Sequence, residues 1–94
     1  MKKQATKAVT PVKKKYDTQD KQIKALKKKG NIITFKNKFR FLGSAYSQIT
    51  VTGFEKSRQT GYVKIIGFGR DTPWFANMEQ LINAVDWAWM DRVS

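Results

Sequence analysis

The chain has 94 residues, a formal net charge of +12, and neither cysteine nor histidine. The length fits one domain, and the missing thiol and imidazole groups exclude zinc, haem and iron–sulfur centres, disulfides and Cys–His or Ser–His nucleophiles. Since no apolar run approaches the roughly 20 residues that span a bilayer, we expect no membrane partner. A small and strongly basic chain is expected to bind a polyanion.

The positive charge is concentrated near the start of the chain. Residues 1–29 contain eleven lysines, two acidic residues and one of the twelve aromatic residues. Because this segment has little to bury and its charges repel one another, we predict a mostly disordered arm over 1–29 and a folded domain over 30–94. We interpret the arm as a phosphate-binding tail, since its ammonium groups gain from counterion release. A solubilising tail and a localisation signal are the alternatives.

A short helix is predicted inside this arm, between Asp17 and Lys29. Asp17 or Thr18 is the expected N-cap, and Ile23 with Leu26 forms a thin apolar side. Such a helix is marginal alone, and we expect nucleic acid to order it.

From residue 31 onward, apolar residues recur at every second position, which is typical of half-buried β-strands. Glycine and polar residues separate the alternating segments, and a proline opens the last and shortest of them, as suits an edge strand. The four strands are predicted over 33–41, 46–54, 62–68 and 73–76.

A C-terminal helix is predicted after Asn77, which forms a capping box with Gln80. The apolar face of this helix consists of Met78, Leu81, Ile82, Val85 and Trp89. The element order is ββββα, and the predicted fold class is α+β: a four-stranded antiparallel β-sheet followed by one C-terminal α-helix.

This helix carries more apolar residues than one sheet face covers. A domain of roughly 60 residues also buries only about 60% of its unfolded surface. Both observations favour a homodimer in which two helices pack together. The predicted dimer contacts are Leu81, Val85, Trp87, Trp89 and Met90. The alternative is that Trp87 lies against the sheet or tail of its own chain.

The outward side of the predicted sheet is cationic and free of carboxylates. It carries Lys36, Lys38, Arg40, Gln48, Thr50, Thr52, Phe54, Tyr62 and Lys64. Cations neutralise phosphates, and unpaired bases stack on aromatic rings for about 1–3 kcal/mol each. Phe54 stands out because its neighbours are polar and Lys56 and Arg58 follow in the next loop. The alternative is that its ring caps the edge of the sheet.

Neither duplex recognition nor catalysis is predicted. The C-terminal helix has no basic side for a major groove, and Glu79, Asp86 and Asp91 are not spaced to bring three carboxylates together. We therefore expect no metal site, no cofactor and no enzyme activity.

Four short motifs occur in the order expected of a known family. They are Arg40-Phe41-Leu42-Gly43 before the second strand, Val51-Thr52-Gly53-Phe54 at its end, the hairpin from Lys56 to Ile66, and Asn77-Met78-Glu79-Gln80 at the helix start. In these motifs the chain resembles the family of the eukaryotic transcriptional coactivator positive cofactor four and its prokaryotic and phage relatives. The resemblance implies a whirly-like ββββα homodimer that grips single-stranded DNA with little sequence preference. It also implies stacking on Phe54, hairpin contacts from Lys56 and Arg58, and third-strand contacts near Tyr62 and Lys64.

Two functions follow as predictions. The first is a non-sequence-specific single-stranded DNA-binding dimer in replication, recombination or transcription, with RNA as an alternative ligand. The second is a non-enzymatic interaction protein, a coactivator or host-factor modulator, that docks on the transcription or replication machinery through its arm or Trp-rich helix. We expect it in the cytoplasm or nucleoid of a bacterial or phage-infected cell, or in the nucleus of a eukaryote.

Overall fold

The computed structural model describes residues 15–93, which form three helices and three strands. In chain order these are α1 (Gln19–Lys27), β1 (Ile32–Phe41), β2 (Ser44–Lys56), β3 (Val63–Gly67), α2 (Met78–Ala84) and α3 (Trp87–Val93). The strands form one antiparallel sheet in the order β1-β2-β3. The α+β class is confirmed, whereas the predicted count of four strands is wrong. None of the helices in this part of the chain is long and apolar enough to cross a membrane.

The helices cover one side of the sheet, which we call the helix-facing side. Side chains from all three helices and all three strands meet there in one core. Its buried members are Leu26, Ile33, Phe35, Tyr46, Ile49, Val51, Val63, Ile65, Leu81, Ile82, Val85 and Met90. On the other side, which we call the outward side, Gln48, Thr50 and Thr52 of the central strand are exposed.

Helix α1 lies within the predicted helical segment, and Thr18 is its N-cap. The Thr18 side chain accepts a hydrogen bond from the backbone N–H of Lys21 at 3.2 Å. The helix is not a loose appendage, because Leu26 is 0% exposed and Ala25 is also buried in the core. Residues 19–27 thus pack against the core, and the division into an arm over 1–29 and a domain over 30–94 stays a prediction. The lysines before residue 15 lie outside the described residues.

The segment over 73–76 runs beside β3 but does not form the predicted fourth strand. Phe75 exchanges two backbone hydrogen bonds with Val63, of 2.7 and 2.8 Å. Two residues along β3, the N–H of Ile65 donates to the Thr72 hydroxyl instead of a backbone carbonyl. Pro73, which lies between Thr72 and Phe75, has no N–H group to donate. The hydrogen bonds between this segment and β3 are therefore limited to isolated bridges.

The predicted single C-terminal helix is broken into α2 and α3. Val85 adopts an extended conformation, with φ −86° and ψ 141°, and forms a bridge with Phe35 of β1. The N–H of Asp86 donates to the carbonyl of Thr34 at 2.8 Å, and the Asp86 carboxylate caps α3 by accepting from the N–H of Trp89. The break therefore extends the sheet edge at β1, and residues 78–93 form two short helices in place of the predicted long dimerising helix.

A bulge of several residues interrupts the alternation of buried and exposed residues in β1. Thr34 pairs with Gln48 and Phe39 pairs with Tyr46, so four β1 residues face a single β2 residue between those pairs. Ile33, Thr34 and Phe35 are buried in succession, because the α2–α3 junction covers this edge. The bulge that follows leaves residues 36–38 exposed.

Candidate nucleic-acid interface

A β-bulge in β2 changes the side to which its later residues point. Val51 pairs with Gly67, whereas Gly53 pairs with Ile66, so Thr52 is one extra residue in β2. Residues directly opposite each other in an antiparallel pair project to the same side of the sheet. The alternation of β2 is therefore inverted beyond Thr52.

Phe54 is the residue most affected by this bulge. It lies opposite the fully buried Ile65, so its ring points to the helix-facing side, where it is partly buried and packs against the core. The ammonium group of Lys27 lies 5.0 Å from the centroid of the Phe54 ring, within cation–π distance. The predicted outward position of Phe54 is wrong, and the alternative of a ring that caps the sheet edge fits its placement better.

The same bulge brings a carboxylate to the outward side. Glu55 lies opposite Lys64, and the Lys64 ammonium is 3.9 Å from Glu55 Oε1 and 3.3 Å from Asp71 Oδ2. The Lys64 side chain is only 19% exposed, and its ammonium also lies 4.7 Å from the centroid of the Trp74 ring. The prediction that the outward side carries no carboxylate is thus wrong. The positive charge of Lys64 is largely balanced by the carboxylates of Glu55 and Asp71.

Three exposed aromatic rings lie along the outward side at β3, and we call them the outward aromatic strip. Tyr62 is 44%, Phe68 79% and Trp74 43% exposed. Tyr62 and Phe68 lie just before and just after β3, at even-numbered positions that project to the same side as Lys64. Trp74 contacts Lys64 from the neighbouring segment. At 3.3 Å per residue, Tyr62 and Phe68 are separated by about 20 Å. The strip is long enough for several unpaired nucleotides.

Phe68 stands at the junction of two shallow grooves. Its backbone N–H donates to the Thr50 carbonyl at 3.0 Å, which fixes the ring beside the central strand. A groove of about 230 Å³ on one side is lined by Ile32, Gln48, Ile49, Thr50, Phe68 and Arg70. A groove of about 260 Å³ on the other side is lined by Phe41, Leu42, Ser44, Tyr46, Phe68, Gly69 and Arg70. Both grooves share the exposed ring of Phe68 and the guanidinium of Arg70. Such a pair of groups suits stacking of a base on the ring and binding of its phosphate by the guanidinium.

Tyr46 holds the loop that carries Arg70. The Tyr46 hydroxyl donates to the carbonyl of Asp71, and the Arg70 guanidinium lies 4.8 Å from the Tyr46 ring centroid. Burial raises the pKa of the Tyr46 phenol above 10.0; the Arg70 charge opposes this shift and the Asp71 carboxylate adds to it. The phenol is therefore a neutral hydrogen-bond donor at physiological pH.

The other predicted contacts are distributed over three places. Thr50 and Thr52 are exposed on the outward side, Lys36, Lys38 and Arg40 are exposed on the β1–β2 hairpin, and Lys56 and Arg58 are exposed around the β2–β3 loop. Thr52 donates its hydroxyl proton to the Ile66 carbonyl at 3.1 Å. The structure brings Thr50, Thr52 and Tyr62 together on one side and leaves the cations at its borders.

Sequence reasoning did not place Phe68, Arg70 or Ile32 among the contacts. The signal for Phe68 was present, because it continues the outward alternation of Tyr62 and Lys64. Arg70 had no such signal, since its position depends on the hydrogen bond between Tyr46 and Asp71.

Comparison with known proteins gives no match. Neither a protein-family model, nor a curated protein, nor a solved structure is similar to the chain. The resemblance to the positive cofactor four family stays a prediction, and the observed order αβββαα of residues 15–93 differs from the implied ββββα.

The predicted dimer contacts lie partly in the core of the chain itself. Leu81, Val85 and Met90 are buried, and Trp87 and Trp89 are half-buried. The indole N–H of Trp87 donates to the Ile82 carbonyl at 2.8 Å, and its ring lies 5.3 Å from that of Tyr16. Trp87 therefore packs against the segment before α1, as its alternative interpretation states. The homodimer itself stays a prediction.

Proposed function

We propose that the protein binds single-stranded nucleic acid, with DNA as the favoured ligand, on the outward side of its sheet. The outward aromatic strip carries this proposal. Its three rings are exposed on the side of the sheet that the helices of residues 15–93 leave uncovered. Unpaired bases stack on such rings for about 1–3 kcal/mol each, whatever their sequence.

Cations border the strip and supply contacts to phosphates. Arg70 lies beside Phe68 in both grooves, Arg40 is exposed on the β1–β2 hairpin, and Arg58 is exposed in the loop before Tyr62. Lys56 lies opposite the buried Val63 and therefore projects to the helix-facing side. This arrangement of central rings and peripheral charges is typical of sites that track a backbone and stack its bases. Affinity should therefore fall steeply with salt.

Little sequence preference is expected of this surface. Base edges are read by paired donors and acceptors of Arg, Asn and Gln side chains. In the groove beside Phe68, Gln48 and Arg70 are the side chains of this kind, and the Arg70 guanidinium already lies against the Tyr46 ring. Stacking and charge thus account for recognition better than base reading does.

The homodimer is retained in this proposal, together with a non-enzymatic role in replication, recombination or transcription. A folded unit of this size buries limited surface alone, which supports association of two copies. Size-exclusion chromatography with light scattering, on free and oligonucleotide-bound protein, measures the mass. A mass of one chain in both states would contradict the dimer.

The binding proposal is tested by the anisotropy of a labelled oligo-dT between about 50 and 200 mM salt. Phe68→Ala should weaken binding about tenfold at each salt concentration, because one stacking contact is lost. Phe68→Trp, which keeps a ring at the same position, is the matched control and should retain affinity. Phe68 is too exposed for either change to affect folding appreciably. Absence of binding by the unmodified protein at low salt would refute the proposal.

A further inference from the structure

A second concave surface lies beside α1. This groove of about 260 Å³ is lined by Lys15, Lys21, Lys24 and Lys28, together with Asn31 at one end. We call it the lysine groove. Tyr16 and Ala25 complete its lining, and no acidic side chain lines it, so all its charged lining residues are cationic.

The lysine groove faces away from the sheet. With 3.6 residues per turn, Lys21, Lys24 and Lys28 fall on one side of α1 and Leu26 on the opposite side. Leu26 is completely buried in the core between helices and sheet. The lysines of α1 and the outward aromatic strip are therefore on opposite sides of the core, whereas Asn31 of the groove directly precedes Ile32, which lines the groove beside Phe68.

The groove is held in shape by contacts from elsewhere in the chain. The backbone N–H groups of Lys15 and Tyr16 both donate to Asp91 Oδ1, at 3.0 and 3.2 Å. The side-chain amide of Asn31 donates to the Ala25 carbonyl at 3.0 Å. These bonds fix Lys15 beside α1 before any ligand arrives.

The charges of the groove are only partly balanced. Lys21 pairs with Asp17 at 3.0 Å, whereas Lys24 and Lys28 form no ion pair with any residue between 15 and 93. At a rise of 1.5 Å per residue, Lys21 and Lys28 are about 10 Å apart along the helix. A cationic stripe of this length suits a short stretch of phosphate backbone, which the positively charged grooves of single-strand binding proteins follow.

We propose that the lysine groove binds the phosphate backbone of a second nucleic-acid segment while the outward aromatic strip holds the first. The inference rests on the proposed function for the first segment. Because the core separates the lysines of α1 from the outward aromatic strip, a short oligonucleotide reaches only one of the two surfaces. One chain of this protein then holds two strands at once.

Native mass spectrometry with a short oligo-dT, of about six nucleotides, counts the strands bound per chain. We expect two per chain for the unmodified protein and one for Lys24→Gln/Lys28→Gln. The double variant Tyr62→Ala/Phe68→Ala should also bind one. Lys27→Gln/Arg92→Gln removes the same charge from exposed residues that line neither surface and is the matched control, which should bind two.

The outcomes separate the two proposals. The unmodified protein could instead bind one strand per chain, and this strand could be lost in the aromatic variant but kept in Lys24→Gln/Lys28→Gln. That result would overturn the proposal for the lysine groove and leave the proposed function intact. Two strands retained by Lys24→Gln/Lys28→Gln would overturn the groove as well, because the second strand is then held elsewhere. Two strands retained by the aromatic variant would overturn the proposed function instead. No bound strand at all would overturn both.

Discussion

Phe54 and Ile65 lie directly opposite each other on β2 and β3, on the side of the sheet that the helices cover. Phe54→Ala should therefore act mainly on stability. We expect a loss of about 2 kcal/mol in the free energy of unfolding, below the 3–5 kcal/mol of a fully buried phenylalanine, measured by urea denaturation. The affinity of the folded protein for oligo-dT should be unchanged. Weaker binding at unchanged stability would restore the stacking role that the sequence suggests.

Gly67 has no room for a side chain, because a methyl group there would collide with Ile49 and with the Arg70 carbonyl. Gly67→Ala should lower the free energy of unfolding by about 1–3 kcal/mol through overpacking. Gly53→Ala is the matched control, since its new methyl group would meet only Ile66, at an ordinary 3.6 Å. Equal effects of the two substitutions in urea denaturation would contradict this packing.

Leu42 and Gly43 form the two-residue turn between β1 and β2, with φ of 51° and 86°. A leucine at positive φ is strained, and Leu42 is 89% exposed, so it loses no packing when replaced. Leu42→Asn should raise the free energy of unfolding by about 1 kcal/mol, because Asn-Gly is favoured in this turn. Leu42→Ala keeps the strain and should give no gain. Thermal unfolding of the three proteins tests this, and a gain for alanine would refute it.

Glu55 balances part of the Lys64 charge on the outward side. Glu55→Gln should strengthen oligo-dT binding by up to about fivefold, the equivalent of a surface ion pair, and should steepen its dependence on salt. Glu79→Gln makes the same charge change on α2, an element on the helix-facing side, and should have a smaller effect. Equal gains in anisotropy titrations would show that only net charge matters.

The raised pKa of Tyr46 makes stability depend on pH in the alkaline range. The folded state holds the phenol proton more tightly than the unfolded state, whose pKa is near 10.0. This contribution is therefore complete below pH 10.0 and is lost as the pH rises through the higher folded-state value. Tyr46→Phe removes it, so the variant should lose less stability than the unmodified protein above pH 10.0. Parallel urea denaturation curves at all pH values would contradict the assignment.

Local signals in the sequence correctly predicted where α1 and α2 begin, but not where α3 begins. Thr18 caps α1, and Asn77 caps α2 by accepting from the N–H of Gln80 at 2.9 Å. Alternation likewise located all three strands to within a few residues. These features depend on neighbours in the chain, which a pattern records.

Features that depend on distant partners were not predictable in the same way. The extra residue Thr52 in β2 inverts all later positions, so the alternation that places Ile49 correctly places Phe54 on the wrong side. Val85 continues a helical pattern, yet it leaves the helix to bridge Phe35. In each case a tertiary contact outweighs a local preference. The candidate site shifted accordingly, from Phe54 and Lys64 to the strip around Phe68.

The hydrogen bonds that the amides of Lys15 and Tyr16 donate to Asp91 have a consequence for biosynthesis. Asp91 is translated 76 positions after Lys15, so α1 emerges from the ribosome long before its anchor exists. Until then the amides of Lys15 and Tyr16 lack this acceptor, and the core is complete only when Met90 of α3 packs against the earlier elements. The contact between α3 and the segment before α1 is therefore expected to form after the strands and α2 have been translated.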